Sequence, residues 1–157
     1  MVSDIANPRQ TVLVTSSSDS KDDIITLDWH MPTSFKPLMY AISVGKTRYS
    51  RKLIEQAKVF VVNFMPIHTE KEVLFCGRNP GEHVDKFKET GFHRVEGEKV
   101  DCPRISEALA FLECEVVKEI ETGDHIIFVG NVLHKDWNDT GKRLFHTGKD
   151  DFTTTKD

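Results

Sequence analysis

The sequence has 157 residues (17.9 kDa), long enough for one domain with a buried core, and a formal net charge of −4. Nucleic acids and anionic membranes select basic surfaces, and no lysine- or arginine-rich block occurs, so we expect neither partner. No apolar stretch approaches a membrane span, and the N-terminus lacks a signal-peptide layout. The three cysteines have no C-x-x-C spacing, which predicts reduced thiols in a cytoplasmic protein.

The first part of the chain has the composition of short strands joined by polar connections. After a loose lead-in, residues 10–15 (QTVLVT) are apolar and β-branched, which predicts a strand. The polar run 16–23 predicts a hairpin loop, and residues 24–27 resume as a strand. Two prolines predict a loop over residues 28–37, because proline removes a backbone donor. Residues 38–44 form the next predicted strand.

The middle of the chain alternates between helical and strand patterns. Residues 49–58 carry apolar side chains on one helical face, and residues 59–64 (VFVVNF) are apolar on both faces, as in a central strand. Thr69 is a candidate N-cap for a short helix. Residues 83–89 predict another helix, ended by Gly91 as its C-cap.

The last part predicts a long hairpin. Residues 92–95 and 108–118 are predicted strands, and in the second of them apolar residues alternate with Glu113 and Glu115, the pattern of one buried face. A Thr-Gly-Asp turn leads into a return strand over residues 125–134, which is apolar on both faces.

The order of these elements indicates the fold class. Six to eight strands, two or three short helices and no regular βα alternation favour a closed antiparallel barrel with helical additions over a doubly wound parallel sheet. The tail from Asn138 onward is polar, and its end, TTTKD, is predicted to fray.

The turn between the strand ending at Gly45 and the following helix carries the clearest chemical signal. It contains hydroxyl side chains, Lys46 and Arg48, and the helix start adds free backbone N–H groups and the positive end of the helix dipole. Together these groups make an anion site. A solvated turn with Ser50 as the helix N-cap explains the same composition, so both interpretations stay open. The seven histidines lack metal-binding spacing, and no metal site is predicted.

Several short segments follow one another in a distinctive order. They are Asn-Pro-Arg before VLVT, TLDWHMPTS, SVGKTRYS, FVVNF, Phe-Cys-Gly before DKF, ETGDHIIFVGNV and LFHTGK. In this order they resemble the flavin reductase-like family of FMN-binding split-barrel proteins, over about residues 7–152. The resemblance implies one domain over residues 1–157, mainly β with short helices, built as an antiparallel split barrel of Greek-key type.

The resemblance also implies which residues bind FMN. Those along the edge of the flavin ring would be Thr26, Leu27, Asp28 and Trp29. Those around the phosphate would be Ser43, Val44, Arg48 and Ser50. Those closing the other side of the flavin would be Cys76, Gly77, Lys86 and Phe87. His125 would lie near the nicotinamide and is the candidate catalytic residue.

Asp28-Trp29 departs from the small residues that family members often carry in the first flavin loop. A carboxylate beside the ring would disfavour the anionic reduced flavin and lower its reduction potential. Alternatively, Asp28 points away from the ring and contributes only its backbone.

The implied activity is that of an NAD(P)H-dependent flavin or ferric reductase-type oxidoreductase. Electrons would pass from NAD(P)H through FMN to free flavin, a ferric complex or a partner protein, in a homodimer with the flavin near the interface. Two alternatives remain. One is a flavoredoxin-like FMN electron carrier that does not oxidise NAD(P)H directly, and the other is a non-catalytic flavin-binding barrel.

Overall fold

The computed structural model describes residues 1–138 and 140–156, in which antiparallel strands dominate. The strands are β1 Arg9–Gln10, β2 Val12–Ser18, β3 Lys21–Leu27, β4 His30–Phe35, β5 Leu38–Gly45, β6 Val59–Phe64, β7 Arg94–Val95, β8 Arg104–Ile105, β9 Ala110–Thr122, β10 His125–Trp137, β11 Phe145–Gly148 and β12 Asp151–Thr153. The helices are α1 Val2–Ala6, α2 Tyr49–Ala57, α3 Glu70–Arg78 and α4 Lys86–Thr90, with a 3₁₀ turn at Ile67–Thr69. The prediction of a mainly β fold with short helices is confirmed.

Seven strands form the main sheet in the order β3-β2-β6-β9-β10-β5-β4, and every neighbouring pair is antiparallel. The chain crosses from β5 through α2 to β6, which pairs with β2, and this is a Greek-key type of connection. Within the described residues the sheet ends at β3 and β4, which are consecutive in the chain. Side chains from β2, β3, β5, β6, β9 and β10 nevertheless share one core, so the sheet is curled into a barrel that is split between its two edges.

A second core holds two helices against the outer face of the barrel. Leu13 and Ile24 point out from β2 and β3 and pack with Val73 and Cys76 of α3. Phe87 of α4 packs against the same cluster. Burying these apolar side chains fixes α3 and α4 beside β3, next to the split edge.

The prediction of a loop over residues 28–37 is wrong, because most of this segment forms β4. This strand pairs with β5, and its register shifts between Pro32 and Ser34. Proline is tolerated in an edge strand, and especially at a bulge, since its missing N–H then leaves no ladder acceptor unpaired. The hairpin loop predicted over residues 16–23 is also shorter than expected, because most of these residues pair in β2 and β3. Only Asp19 and Ser20 form the turn, and their φ angles are 51° and 64°. Two successive positive φ values are typical of a tight two-residue hairpin.

Glu113 is fully buried, although the alternation in β9 predicted it on the solvent face. The segment before β9 folds over this face of the sheet. Its backbone N–H groups at Lys99 and Val100 donate to Glu113 Oε1 at 2.8 and 3.2 Å. Glu115, two residues further along the strand, is exposed as predicted. Alternation in sequence cannot reveal that a distant segment covers one polar position.

The polar tail from Asn138 onward contains two short strands. β11 pairs with β1, with Arg9 opposite His146, and β12 pairs with β11. Leu144 is fully buried and Phe152 packs against the second core, so two apolar anchors hold this polar segment. Residue 157 lies outside the described residues.

The observed helix boundaries differ by a few residues from those predicted. α4 begins at Lys86, later than predicted, and Asp85 caps it by accepting a hydrogen bond from the Lys88 N–H at 3.2 Å. Gly91 ends it with a φ of 75°, as predicted. None of the helices in the described residues has the length and apolarity needed to cross a membrane.

Candidate functional site

Two adjoining cavities lie along the split edge of the barrel. The first, the β3 cavity, measures about 190 Å³. Its lining includes Thr26, Leu27, Asp28, Trp29, Ser43 and His125. The second, the α2 cavity, measures about 130 Å³. Its lining includes Asp23, Thr47, Tyr49, Cys76, Gly77 and Lys86. Both are bordered by Ile25 and Arg48, so together they form one continuous groove.

The backbone is the part of the predicted ring-edge segment that can bind a ligand in the β3 cavity. The Thr26 hydroxyl donates to the Val73 carbonyl of α3 at 2.6 Å, and the Leu27 side chain is buried in the barrel core. The Ser43 N–H donates to the Trp29 carbonyl at 3.0 Å, which ties β5 to the link between β3 and β4. Among the described residues, the Ser43 hydroxyl has no partner and is free for a ligand.

Arg48 is the unpaired cation of the groove. It is exposed, borders both cavities, and its guanidinium contacts no acceptor or acid among the described residues. It is also the N-cap residue of α2 and makes no side-chain cap, so the interpretation of Ser50 as the cap is wrong. In the described chain, the N–H groups of Thr47 and Tyr49 likewise lack acceptors. A helix start, two free N–H donors and a guanidinium therefore face one space, which is suited to an anion.

Three predicted cofactor residues contribute no side chain to the groove. Ser50 is buried, and its hydroxyl donates to Asp23 Oδ2 at 2.6 Å. Val44 is fully buried in the barrel core, and Phe87 packs against the second core. None of the three residues lines either cavity.

Lys86 forms the floor of the α2 cavity instead of projecting into it. Its Nζ lies 2.8 Å from Asp23 Oδ1 and donates to the carbonyls of Ile24 at 2.6 Å and Cys76 at 3.0 Å. All three ammonium donors are therefore used, and only 5% of the residue is exposed. Asp23 also accepts from the Ile24 N–H and from Ser50. This buried network joins β3, α2, α3 and α4 behind the site.

Two glycines let α3 and the turn that follows it approach β3 closely. A Cβ on Gly81 would lie 1.9 Å from Asp23 Oδ1, and one on Gly77 would lie 3.2 Å from the Thr26 Cβ. Cys76 is buried beside them, and burial raises the pKa of its thiol to about 12. The thiol is therefore protonated at neutral pH and is not a nucleophile.

Trp29 and His125 stand together at the mouth of the β3 cavity. Their ring centroids are 4.7 Å apart, and Trp29 is 42% exposed. His125 Nδ1 lies 2.7 Å from the carboxylate of Asp124, so this nitrogen donates and Nε2 is the one left for the cavity. A Cβ on Gly45 would be in ordinary van der Waals contact with that Nε2, at 3.9 Å.

Both carboxylate oxygens of Asp28 are bonded outside the groove. Oδ1 accepts from the Thr11 hydroxyl at 2.6 Å, and Oδ2 lies 2.6 Å from His146 Nδ1. Neither of these partners lines either cavity. Of the two alternatives for Asp28, the geometry supports the one in which only the backbone faces the ligand.

Sequence reasoning missed several residues of the site. Asp23 lies in a polar run that predicted only a loop, and Gly81 lies between two predicted helices, in a segment for which the sequence predicted no site residue. His146, which bonds Asp28 from outside the groove, lies in the LFHTGK segment, which carries part of the family resemblance but predicted no site residue. The partners of these residues lie far along the chain, so spacing could not identify them.

The groove matches the chemistry of a flavin mononucleotide. That ligand has a planar ring with a polar edge at one end and a phosphate at the other. The β3 cavity offers free backbone along β3 and the Ser43 hydroxyl, and the α2 cavity offers Arg48 with the free N–H groups. The donor set therefore fits both ends of the molecule.

Comparison with known proteins agrees with this chemistry. The sequence profile described as "Flavin reductase like domain" matches residues 5–154. An uncharacterized protein of Archaeoglobus fulgidus is 39% identical over 92% of this chain and 78% of its own length. The crystal structure of flavoredoxin from Methanosarcina acetivorans superposes with a TM-score of 0.88 at 26% identity, covering 97% of this chain and 87% of that one. The NADH:FAD oxidoreductase of Streptomyces globisporus superposes with a TM-score of 0.86 at 25% identity, covering 95% and 87%.

Proposed function

The chain belongs to the flavin reductase-like family, and on that premise we propose that it binds FMN and passes electrons from NAD(P)H to an acceptor. The family and the split-barrel fold predicted from the sequence are thereby confirmed. The acceptor in this proposal is free flavin, a ferric complex or a partner protein. The similarity to an NADH:FAD oxidoreductase supports a nicotinamide as the electron donor.

One observation carries the proposal: an unpaired arginine and the start of α2 face a groove that continues along β3. Arg48 borders both cavities, and Thr47 and Tyr49 line the α2 cavity beside it. An unpaired cation next to free N–H groups is stabilised by a phosphate, which accepts several charge-assisted hydrogen bonds. The adjoining β3 cavity then holds the part of the ligand that is attached to the phosphate, which in FMN includes the flavin ring.

The residues of the groove bind and orient the ligand. When bound, the flavin supplies the hydride and electron-transfer chemistry. Arg48 and the N–H groups of α2 fix the phosphate, and the backbone of β3 fixes the polar edge of the ring. Trp29 and His125 limit the access of water and of the donor at the mouth of the β3 cavity.

The test is a visible absorption spectrum of the purified protein after FMN is added, followed by NADH or NADPH without oxygen. We expect bound FMN whose absorbance near the long-wavelength maximum disappears when the nicotinamide is added. A protein that binds FMN without this bleaching is not an NAD(P)H-dependent reductase. A protein that takes up no FMN does not have the proposed function.

The packing of Trp29 supports a second candidate, a flavoredoxin-like electron carrier. Its indole lies against His125 and narrows the mouth through which a nicotinamide would enter. The similarity in fold and sequence to the flavoredoxin of Methanosarcina acetivorans agrees with this alternative. FMN that is bound and reduced by dithionite, but not by either nicotinamide, would favour the carrier.

Replacing His125 with asparagine should lower the rate of flavin reduction by the nicotinamide about tenfold and leave the Kd for FMN within about twofold. The side chain stands at the mouth and not at the phosphate end, so it affects the donor more than the cofactor. Stopped-flow reduction under anaerobic conditions measures this rate. His134→Asn is the control, since His134 is on the same strand but lines neither cavity. Equal rates for the His125 variant and the wild type would contradict a role in donor binding.

The proposal includes a homodimer that covers the apolar face beside the site. Phe35 is 94% exposed and Met31 57% exposed, both on the edge strand β4. A shallow apolar groove runs from Met31 and Trp29 to Ile127 of β10. A second copy of the chain would bury these side chains close to the flavin. Sedimentation equilibrium at micromolar concentration tests this proposal, and a monomer would contradict it.

A cytoplasmic location also belongs to the proposal. Cys76, Cys102 and Cys114 are all free and buried. Free thiols are typical of proteins in reducing compartments. Cell fractionation followed by immunoblotting tests the location, and recovery from the culture medium would contradict it.

A further inference from the structure

The Asp28–His146 pair has no part in the proposed function. Asp28 lies in the link between β3 and β4, and His146 lies in β11, near the end of the chain. Nδ1 of His146 is 2.6 Å from Asp28 Oδ2, and Nε2 is 2.7 Å from the Lys149 carbonyl oxygen. About a fifth of each side chain in the pair is exposed (19% and 21%).

Both ring nitrogens of His146 face oxygens that accept hydrogen bonds. A neutral imidazole has one N–H and can satisfy only one of them, whereas the imidazolium satisfies both. Burial lowers the pKa of His146, but the hydrogen bond to Lys149 and the bond and charge of Asp28 outweigh it, so the pKa is raised overall. The bonds made by the imidazolium therefore stabilise the fold fully at low pH. That contribution is lost as the pH rises through the raised pKa.

The pair is next to the proposed flavin groove. A third cavity of about 260 Å³, the tail cavity, contains His146 and shares Thr26 and Asp28 with the β3 cavity. Asp28 therefore separates the β3 cavity from the tail cavity. Its carbonyl oxygen accepts a hydrogen bond from Arg9 Nε at 3.0 Å. The charged groups facing His146 are Asp28, Arg9, Arg78, Lys149 and Asp150. Arg78 and Asp150 form an ion pair with each other.

The net charge of the Asp28–His146 pair depends on whether His146 is protonated. With His146 protonated, the pair carries no net charge. With His146 neutral, the carboxylate of Asp28 is uncompensated within the pair, and a negative charge stands behind the wall of the β3 cavity. A negative charge there opposes the binding of an anionic ligand, and opposes it more strongly when that ligand gains electrons.

We propose that His146 is a positioning residue for the flavin: in its protonated form it neutralises Asp28 behind the ring edge, and it makes flavin affinity depend on pH. This inference rests on the proposed function, because it requires FMN to bind in the groove. It also gives a physical reason why an aspartate is tolerated in the first flavin loop. The carboxylate is held by a cation on the side away from the ligand.

The test compares FMN affinity for the wild type and His146→Gln at a series of pH values. The phosphate of FMN titrates in the same range in both proteins, so the readout is the ratio of the two Kd values. At low pH the variant should bind FMN about tenfold more weakly, since it leaves Asp28 uncompensated. The ratio should fall towards one as the pH rises through the pKa of His146. A purely structural contact would not produce a ratio that converges with pH.

Two further proteins complete the test. Asp28→Asn combined with His146→Gln removes both charges, so it should regain most of the affinity at low pH. His93→Gln is the matched control, because His93 also pairs with an acid, Glu107, at 2.7 Å but lies outside all three cavities. Its Kd ratio to the wild type should stay at one.

The pKa of His146 can be measured without flavin, by NMR titration of the apoprotein with His146→Gln for assignment. In the Asp28→Asn variant this pKa should fall, because the imidazolium loses the negative charge beside it. FMN binding with a ratio that does not change with pH would overturn the inference and leave the proposed function standing. An unchanged His146 pKa in Asp28→Asn would also overturn it. Failure of the wild type to bind FMN would overturn both the inference and the proposed function.

Discussion

Replacing Lys86 with methionine should lower the free energy of unfolding by about 3–5 kcal/mol, because the substitution leaves Asp23 charged and buried without its cation. The ammonium is also the donor to two backbone carbonyls, at Ile24 and Cys76, which would lose their partner. The lysine joins β3 to α3 and α4, so we expect a loss of global stability and not only local fraying. Urea denaturation followed by circular dichroism measures the change.

The matched control is Lys88→Met, which removes an exposed lysine from the same helix and should change stability by less than about 0.5 kcal/mol. Adding Asp23→Asn to Lys86→Met removes the stranded charge and should recover part of the loss. The family resemblance instead placed Lys86 in contact with the flavin. A variant with unchanged stability but weaker FMN binding would support that contact and contradict the structural role.

The fold was predictable wherever local patterns alone decide the structure. The apolar runs around residues 59–64 and 125–134 and the Thr-Gly-Asp turn between the last two long strands appear as predicted. Prolines in residues 28–37 misled the prediction, because the effect of a proline depends on whether its strand is an edge strand. That property belongs to the assembled sheet and not to the segment.

The order of motifs predicted which residues surround the groove better than it predicted their roles. Arg48 stands unpaired between the two cavities, as an anion ligand should. Lys86 and Ser50 reach the same region, but both are bonded to Asp23, a residue that no motif singled out. A side chain's role depends on which partner is nearest in space, and these partners are 63 and 27 positions away along the chain.

Replacing Arg48 with alanine should weaken FMN binding about a hundredfold, since a guanidinium can make two charge-assisted hydrogen bonds to a phosphate. The free energy of unfolding should change by less than about 0.5 kcal/mol, because Arg48 is exposed and its side chain has no partner in the described chain. Fluorescence titration with FMN and urea denaturation of the same preparations separate the two effects.

Riboflavin makes this test specific to the phosphate. It has the same ring as FMN but no phosphate, so wild type and Arg48→Ala should bind it equally. Arg48→Lys retains the charge but lacks the planar guanidinium, which can bond a phosphate through two N–H groups. Its affinity for FMN should therefore lie between those of the wild type and Arg48→Ala. Lys52→Ala, an exposed charge on the same helix that lines neither cavity, controls for net charge. If Arg48→Ala weakened FMN and riboflavin alike, the arginine would act on the ring or on the shape of the groove. If it weakened neither, the phosphate would bind elsewhere, and the start of α2 would be only a solvated helix end.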